Sequence, residues 1–173
     1  TDSGGFAYWP GGSEVYEWAA VYAIHFLTEA AKKIELPDGL MGRSVKWLQA
    51  YLGSNYSNAY GDPSYILSTR AYAVYVLALN GEYRQAWINY LQDRYEGLDP
   101  SARIFLAGAE AVNAGNSKPL AVLDKKPLDL SVNNLHHRVS SLESAPRNQA
   151  LKLMVWVAVD PMSETTNKLA WQV

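Results

Sequence analysis

The chain contains no cysteine. That excludes a disulfide framework, a thiol nucleophile and a thiolate metal site within these residues. Charge is sparse too. Charged residues make up 18% of the 173, the formal net charge is −2, and no basic stripe runs through the sequence, which argues against nucleic acid as a partner. Long hydrophobic runs are also missing. The longest, around Ala71–Leu79, falls far short of the roughly 20 residues that a membrane span needs. No charged-then-apolar leader pattern opens the sequence. There is no HExxH, phosphate loop, DxD or evident Ser-His-Asp set. What remains is 49% hydrophobic and rich in 6 Trp and 12 Tyr against 3 Phe. Such a chain buries a core as one domain of ordinary size, and its ring donors require polar partners.

Helical signals dominate. Val15–Ala31 is apolar almost all round, which predicts a buried helix, with Ser13 as N-cap and Glu14 and Glu17 in the first turn. Lys32 and Lys33 complement its last turn, and Glu29 with Lys33 has the favourable i,i+4 orientation. Asp-Pro recurs at 62–63, 99–100 and 160–161, and each predicts a helix start, Asp as cap and Pro at the first helical position. The first such helix runs through Tyr65–Leu79 to the stop Asn80-Gly81. A second follows at Glu82–Tyr95 and ends near Gly97. A third carries Ile104–Val112 and stops at Gly115-Asn116. Lys118–Val122 forms a short partner, and Arg147–Val159 with Ser163–Val173 forms a last pair. Residues 125–146 fit no period and read as an irregular insertion. Helix, short Gly-containing turn and helix, repeated every 35–45 residues or so, describes an all-α array of stacked antiparallel α-hairpins.

Several groups are candidates for chemistry, and each has a simpler structural reading. Gly4–Gly12 interleaves glycine with Phe6, Tyr8 and Trp9 ahead of Glu14, Glu17 and Trp18. It either lines a sugar or terpene site or pins its aromatics into the core. Glu14 with Glu17, or Asp93, Glu96 and Asp99, would be the carboxylates of glycoside chemistry if their separations allowed it; solvated helix ends explain them equally. His136-His137 lacks a third ligand nearby. His25, inside an apolar helix, reads as a hydrogen-bonded core histidine. Tyr51–Tyr60 reads as a polar aromatic loop between hairpins.

Five stretches in order carry a resemblance. They are Gly4–Gly12, Glu17–Ala23 (EWAAVYA), Thr69–Gly81 (TRAYAVYVLALNG), Ala102–Gly108 (ARIFLAG) and Pro146–Leu151 (PRNQAL). Together they resemble the thioester-containing domain of the alpha-2-macroglobulin family, in its bacterial branch, over nearly the whole chain. The resemblance implies an α/α toroid, of which residues 1–173 would be about four hairpins at roughly 40 residues each. It implies a segment of a protease-trapping parent whose Cys-x-Glu-Gln thioester lies upstream of Thr1. This segment would have no catalytic residue, cofactor or metal of its own. Tyr8, Trp9, Pro10, Ser13 and Glu14 would form the loop bordering that thioester. The histidine that speeds acyl transfer in some relatives has no counterpart between Pro10 and Glu14. The implied partners are attacking proteases acting through the parent, other domains of the same chain, and a cell-wall enzyme of the penicillin-binding type. The implied location is the periplasm, with a lipid anchor on the parent at the inner membrane. A segment cut from a ring would expose apolar ends and self-associate. The competing expectation is a carbohydrate-binding or carbohydrate-active α/α toroid built around Tyr8, Trp9, Glu14, Glu17 and Trp18.

Overall fold

In a computed structural model of the chain, residues 1–54, 63–125 and 144–173 are described. All regular structure among them is helical: α1 (Glu17–Ala30), α2 (Leu40–Gly53), α3 (Pro63–Leu79), α4 (Gln85–Gln92), α5 (Pro100–Ala114), α6 (Val122–Lys125), α7 (Ala145–Val159) and α8 (Glu164–Ala170). Short 3₁₀ turns at Tyr95–Gly97 and Lys118–Ala121 precede α5 and α6. The expected all-α architecture is what the chain adopts. No described helix is long and apolar enough to cross a membrane.

The packing order explains the shape. α1, α3, α5 and α7 lie side by side in sequence order, each against the next, while α2, α4, the 118–121 turn with α6, and α8 each pack on the helix they follow. The most extensive contact joins α3 to α5. There the rings of Tyr72 and Phe105 stack with centroids 4.1 Å apart and planes 11° apart. Gly108 lets α5 sit close to both neighbours, because a Cβ there would lie 2.8 Å from Val155 of α7 and 2.9 Å from Tyr75 of α3. The row also curves. Packed helices stand about 8–10 Å apart, so a straight row would leave α1 and α7 some 25–30 Å apart, beyond the reach of one side chain. Yet the Arg147 guanidinium of α7 sits 5.9 Å from the ring centroid of Trp18 on α1.

Helix ends follow local chemistry where a side chain decides them. Asp99 caps α5 as expected, accepting from the Ala102 amide at 2.8 Å, with Pro100 in the first turn. α3 closes through Glu82 N–H donating to Leu77 O and Gly81 N–H donating to Ala78 O. α5 repeats that pattern from Asn116 to Ala111 and from Gly115 to Val112, the paired reverse bonds that satisfy the last carbonyls.

Other expectations need correction. Ser13 is no cap: α1 starts at Glu17 with Tyr16 as its extended, uncapped N-cap. The reason is packing, since Val15 is drawn against Gly5 and the backbone stays extended up to Tyr16. α1 ends at Ala30, so Lys32 lies beyond it and pairs with Glu29 at 2.7 Å, in place of the Glu29–Lys33 pair. Nor is α1 buried all round: Ala20, Val21, Ile24, His25 and Thr28 face the core, but Tyr22 and Phe26 are 57% and 67% exposed. The helix expected at Glu82–Tyr95 shortens to α4, with a 3₁₀ turn after it. Asp160 does not cap the last helix. Its carboxylate accepts from Ser117 and its carbonyl from Thr166, while Ser163 caps α8 through the Thr166 amide. That helix stops at Ala170, short of Val173. Helix α2 has no counterpart in the sequence reading, and Tyr51–Gly53, expected in a loop, belong to it. The remainder of that loop from residue 55, Asp62, and residues 126–143 of the irregular insertion with His136 and His137 lie outside the described residues.

Candidate functional site

The loop ahead of α1 is held at its base and free at its tip. Gly4 and Gly5 are both buried. A Cβ on Gly4, whose φ is +89°, would lie 2.4 Å from the Arg43 carbonyl oxygen of α2, and one on Gly5 would lie 2.6 Å from Nε1 of Trp47. Only glycine permits that approach in that conformation. Trp47 in turn stacks on Tyr51 at 5.5 Å with planes 3° apart. The loop is thus docked on α2, the helix that sequence reasoning missed, and Phe6 packs beside the core.

Beyond this anchor the chain makes a tight turn. The Gly12 amide donates to Trp9 O at 3.0 Å across Pro10 and Gly11, with Gly11 at φ +79°. Proline second and a left-handed glycine third define a type II turn. The turn presents its aromatics outward: Tyr8 is 62% exposed and Trp9 79%. Tyr8 rests on Tyr16, whose ring centroid is 4.8 Å away. Pro10, Ser13 and Glu14 are exposed on the same segment. The five residues singled out from the sequence therefore all lie exposed on one segment. Tyr16, which supports Tyr8, and Arg43 and Trp47, which receive the glycines, complete the candidate site. The Gly4-Gly5 pair was the sequence signal for that docking.

The carboxylates do not form an acid–base pair that the structure supports. Glu14 is exposed on the loop while Glu17 is buried in the first turn of α1. Neither lines the two clefts beside α4 and α5. Asp99 accepts from the Ala102 amide, from Ser101 Oγ at 2.9 Å and from Ser68 Oγ, which commits it to capping. Asp93 and Glu96 border a cleft of about 560 Å³ with Leu67, Arg94 and Tyr95. In the neighbouring cleft burial raises the Glu110 carboxyl above the usual range, and Gln92 donates to it. Among the described residues no group of three or more His, Cys, Asp or Glu is placed to hold a metal.

His25 is the buried hydrogen-bonded histidine that its surroundings predict. It is 8% exposed, and Nδ1 lies 2.8 Å from the Tyr72 hydroxyl. Its ring meets Tyr72 and Tyr75 edge-on, at 5.6 Å each. Burial lowers its pKa, Glu29 opposes that shift, and Lys32 adds to it.

The same architecture recurs in solved structures. Salmonella alpha-2-macroglobulin reacted with methylamine superposes with a TM-score of 0.77 at 21% identity, covering 97% of this chain and 11% of that one. Native Escherichia coli alpha-2-macroglobulin from domain MG7 to the C-terminus gives 0.76 at 20% identity, covering 97% and 27%. The Escherichia coli protein activated by porcine elastase gives 0.77 at 21%, covering 98% and 16%. No family model matches the chain, and no curated protein matches it. The chain spans between about a tenth and a quarter of these structures, and it shares with them an all-helical alpha-2-macroglobulin-type fold.

Proposed function

We propose that this chain is a helical scaffold segment of an alpha-2-macroglobulin-like protease trap. It supplies shape and a docking rim rather than reactive groups. The observation that carries the reading is the superposition of 97% of the chain on a bacterial alpha-2-macroglobulin at a TM-score of 0.77. The finer assignment is to the thioester-containing domain of such a parent, with Tyr8, Trp9, Pro10, Ser13 and Glu14 bordering the thioester. It is supported by the way the loop stands out from the helical array on a rigid turn. With no cysteine, these residues cannot themselves form that bond. On this reading attacking proteases and the remaining domains of the parent are the partners. A penicillin-binding cell-wall enzyme would be a further partner, and the parent would be lipid-anchored in the periplasm.

Two measurements test it. Incubating the purified chain with trypsin or elastase and with methylamine, followed by intact mass determination, is expected to show no covalent adduct and no loss of protease activity. An adduct would overturn the scaffold role. The residues encoded ahead of Thr1 are expected to include Cys-x-Glu-Gln, and an upstream sequence without it would remove the thioester assignment.

The carbohydrate reading retains one observation, the exposed pair Tyr8 and Trp9, since such rings stack on sugar faces. Glycan binding lost in Trp9→Ala would favour it, and absence of binding at millimolar glycan would end it.

A further inference from the structure

We propose that His25 and Tyr72 form an acid-sensitive latch that holds the α1–α2 hairpin, and with it the Tyr8–Glu14 loop, onto α3. The geometry places one imidazole at the middle of the α1–α3 seam. Its Nδ1 is tied to the Tyr72 hydroxyl at 2.8 Å, and its edges are enclosed by the rings of Tyr72 and Tyr75. Around it the seam is apolar: Val21 and Ile24 on α1 and Ala71, Val74 and Tyr75 on α3 are all buried. Tyr72 is itself fixed from the far side by Phe105 of α5, so the α3 half of the latch cannot follow α1 outward. A second polar link, Asn80 Nδ2 donating to Thr28 Oγ1 at 2.9 Å, closes the far end of the same helix.

A neutral imidazole fits this seam, and an imidazolium does not. Protonation would place a desolvated cation between helices, with Glu29 one turn away on α1 in partial compensation and Lys32 opposing it. From α3 the facing groups are the hydroxyls of Tyr72 and Tyr75, and burial holds both phenols well above their ordinary range. From α7, Arg147 is the charge that acts on Tyr72. The Tyr75 hydroxyl has no hydrogen-bond partner among the described residues. The sign follows from linkage. The pKa of His25 is lowered on folding, so the closed state is at full strength above the unfolded value of about 6.5 and weakens as pH falls below it. The opened hairpin binds the proton and the closed one does not. α2 packs on both α1 and α3, so the seam that opens includes the α2–α3 contacts as well as those of α1 with α3, and the loop goes with α2 because it is seated on Arg43 and Trp47.

The test is hydrogen exchange of the whole chain at pH 7.5 and 5.5, corrected for the intrinsic pH dependence of exchange. At pH 5.5 a latch whose folded pKa lies well below that pH loses up to about tenfold in its closing equilibrium. The expected result is faster exchange in α1, α2 and the loop amides, by no more than that factor, while α5 and α7 stay protected. In His25→Gln this difference should vanish. Tyr75→Phe, which removes only the unpartnered hydroxyl, should keep it. Equal acceleration in α1 and α5 would mean global loosening rather than a latch, and would overturn the proposal. Persistence of the pH effect in His25→Gln would overturn it as well. Should His25→Gln fail to fold, His25→Asn, which keeps a polar atom near the Nδ1 position but cannot titrate, provides the same comparison, with loss of the α1-specific pH response expected there too.

Discussion

The guanidinium of Arg147, on α7, lies 5.9 Å from the ring centroid of Trp18, on α1, although α3 and α5 separate these helices in the packing order. This contact closes one side of the curved row. Trp18 also stacks on Tyr22 of the same helix at 5.5 Å and sits 6.2 Å from Tyr72 of α3, so one indole links α1 and α3 to Arg147 of α7. Arg147→Ala is expected to cost about 0.5–2 kcal/mol, the range of a partly desolvated cation–π contact. It should also alter Trp18 emission. Denaturant midpoints and fluorescence of the variant check this, and an unchanged spectrum would count against the contact.

Asp99 shows what a single cap can hold. It accepts from the Ala102 amide, from Ser101 and from the buried Ser68 of α3. Asp99→Ala removes a cap worth about 0.5–2 kcal/mol and leaves the buried Ser68 hydroxyl only its 3.3 Å contact with Ser101 Oγ, at a further cost of up to about 1 kcal/mol. Asp99→Asn should be milder, because one carbonyl oxygen still caps. Urea unfolding of the two variants gives the comparison.

Gly108 marks the tightest approach of three helices. An added methyl would meet Val155 at 2.8 Å and Tyr75 at 2.9 Å, both in the packed interior. Gly108→Ala is expected to destabilise by about 1–3 kcal/mol, the usual range for overpacking. This is the opposite of the gain that alanine brings to an open helix interior. A higher melting temperature would show that the seam has room to relax.

The loop offers a paired test of anchor against tip. Gly4→Ala drives a Cβ to 2.4 Å from a backbone oxygen, whereas Gly11→Ala meets open space and pays only for its left-handed φ. Gly11→Ala should cost about 1–2 kcal/mol and leave the loop docked. Gly4→Ala should undock it, raising protease cleavage between residues 5 and 14. Limited proteolysis of the two variants separates the outcomes.

Much of the array was legible in the residues themselves. The 99–100 Asp-Pro start and the Asn80-Gly81 and Gly115-Asn116 stops operate through bonds a few residues long, so the chain carries them locally. α2 was less legible. Its buried residues Ser44, Leu48, Tyr51 and Leu52 have helical spacing, but two glycines and a polar run after Tyr51 masked it. What makes Leu40–Gly53 a helix is its seat against α1 and α3 and the glycines of the loop. The candidate site divides the same way. Pro10-Gly11 announces a turn, but nothing local says that Gly4 and Gly5 press against Arg43 and Trp47.

By itself, then, the order of residues determined the all-α class, the stops of α3 and α5 with the Asp99 cap, and the absence of any thiol chemistry within these residues. These follow from backbone hydrogen bonding and composition, which need no distant partner. Only the tertiary structure decided which face of α1 meets solvent, that Asp160 serves a turn instead of a cap, and that the row bends far enough for Arg147 to reach Trp18. Each depends on contacts between residues remote along the chain, where packing free energy outweighs local preference.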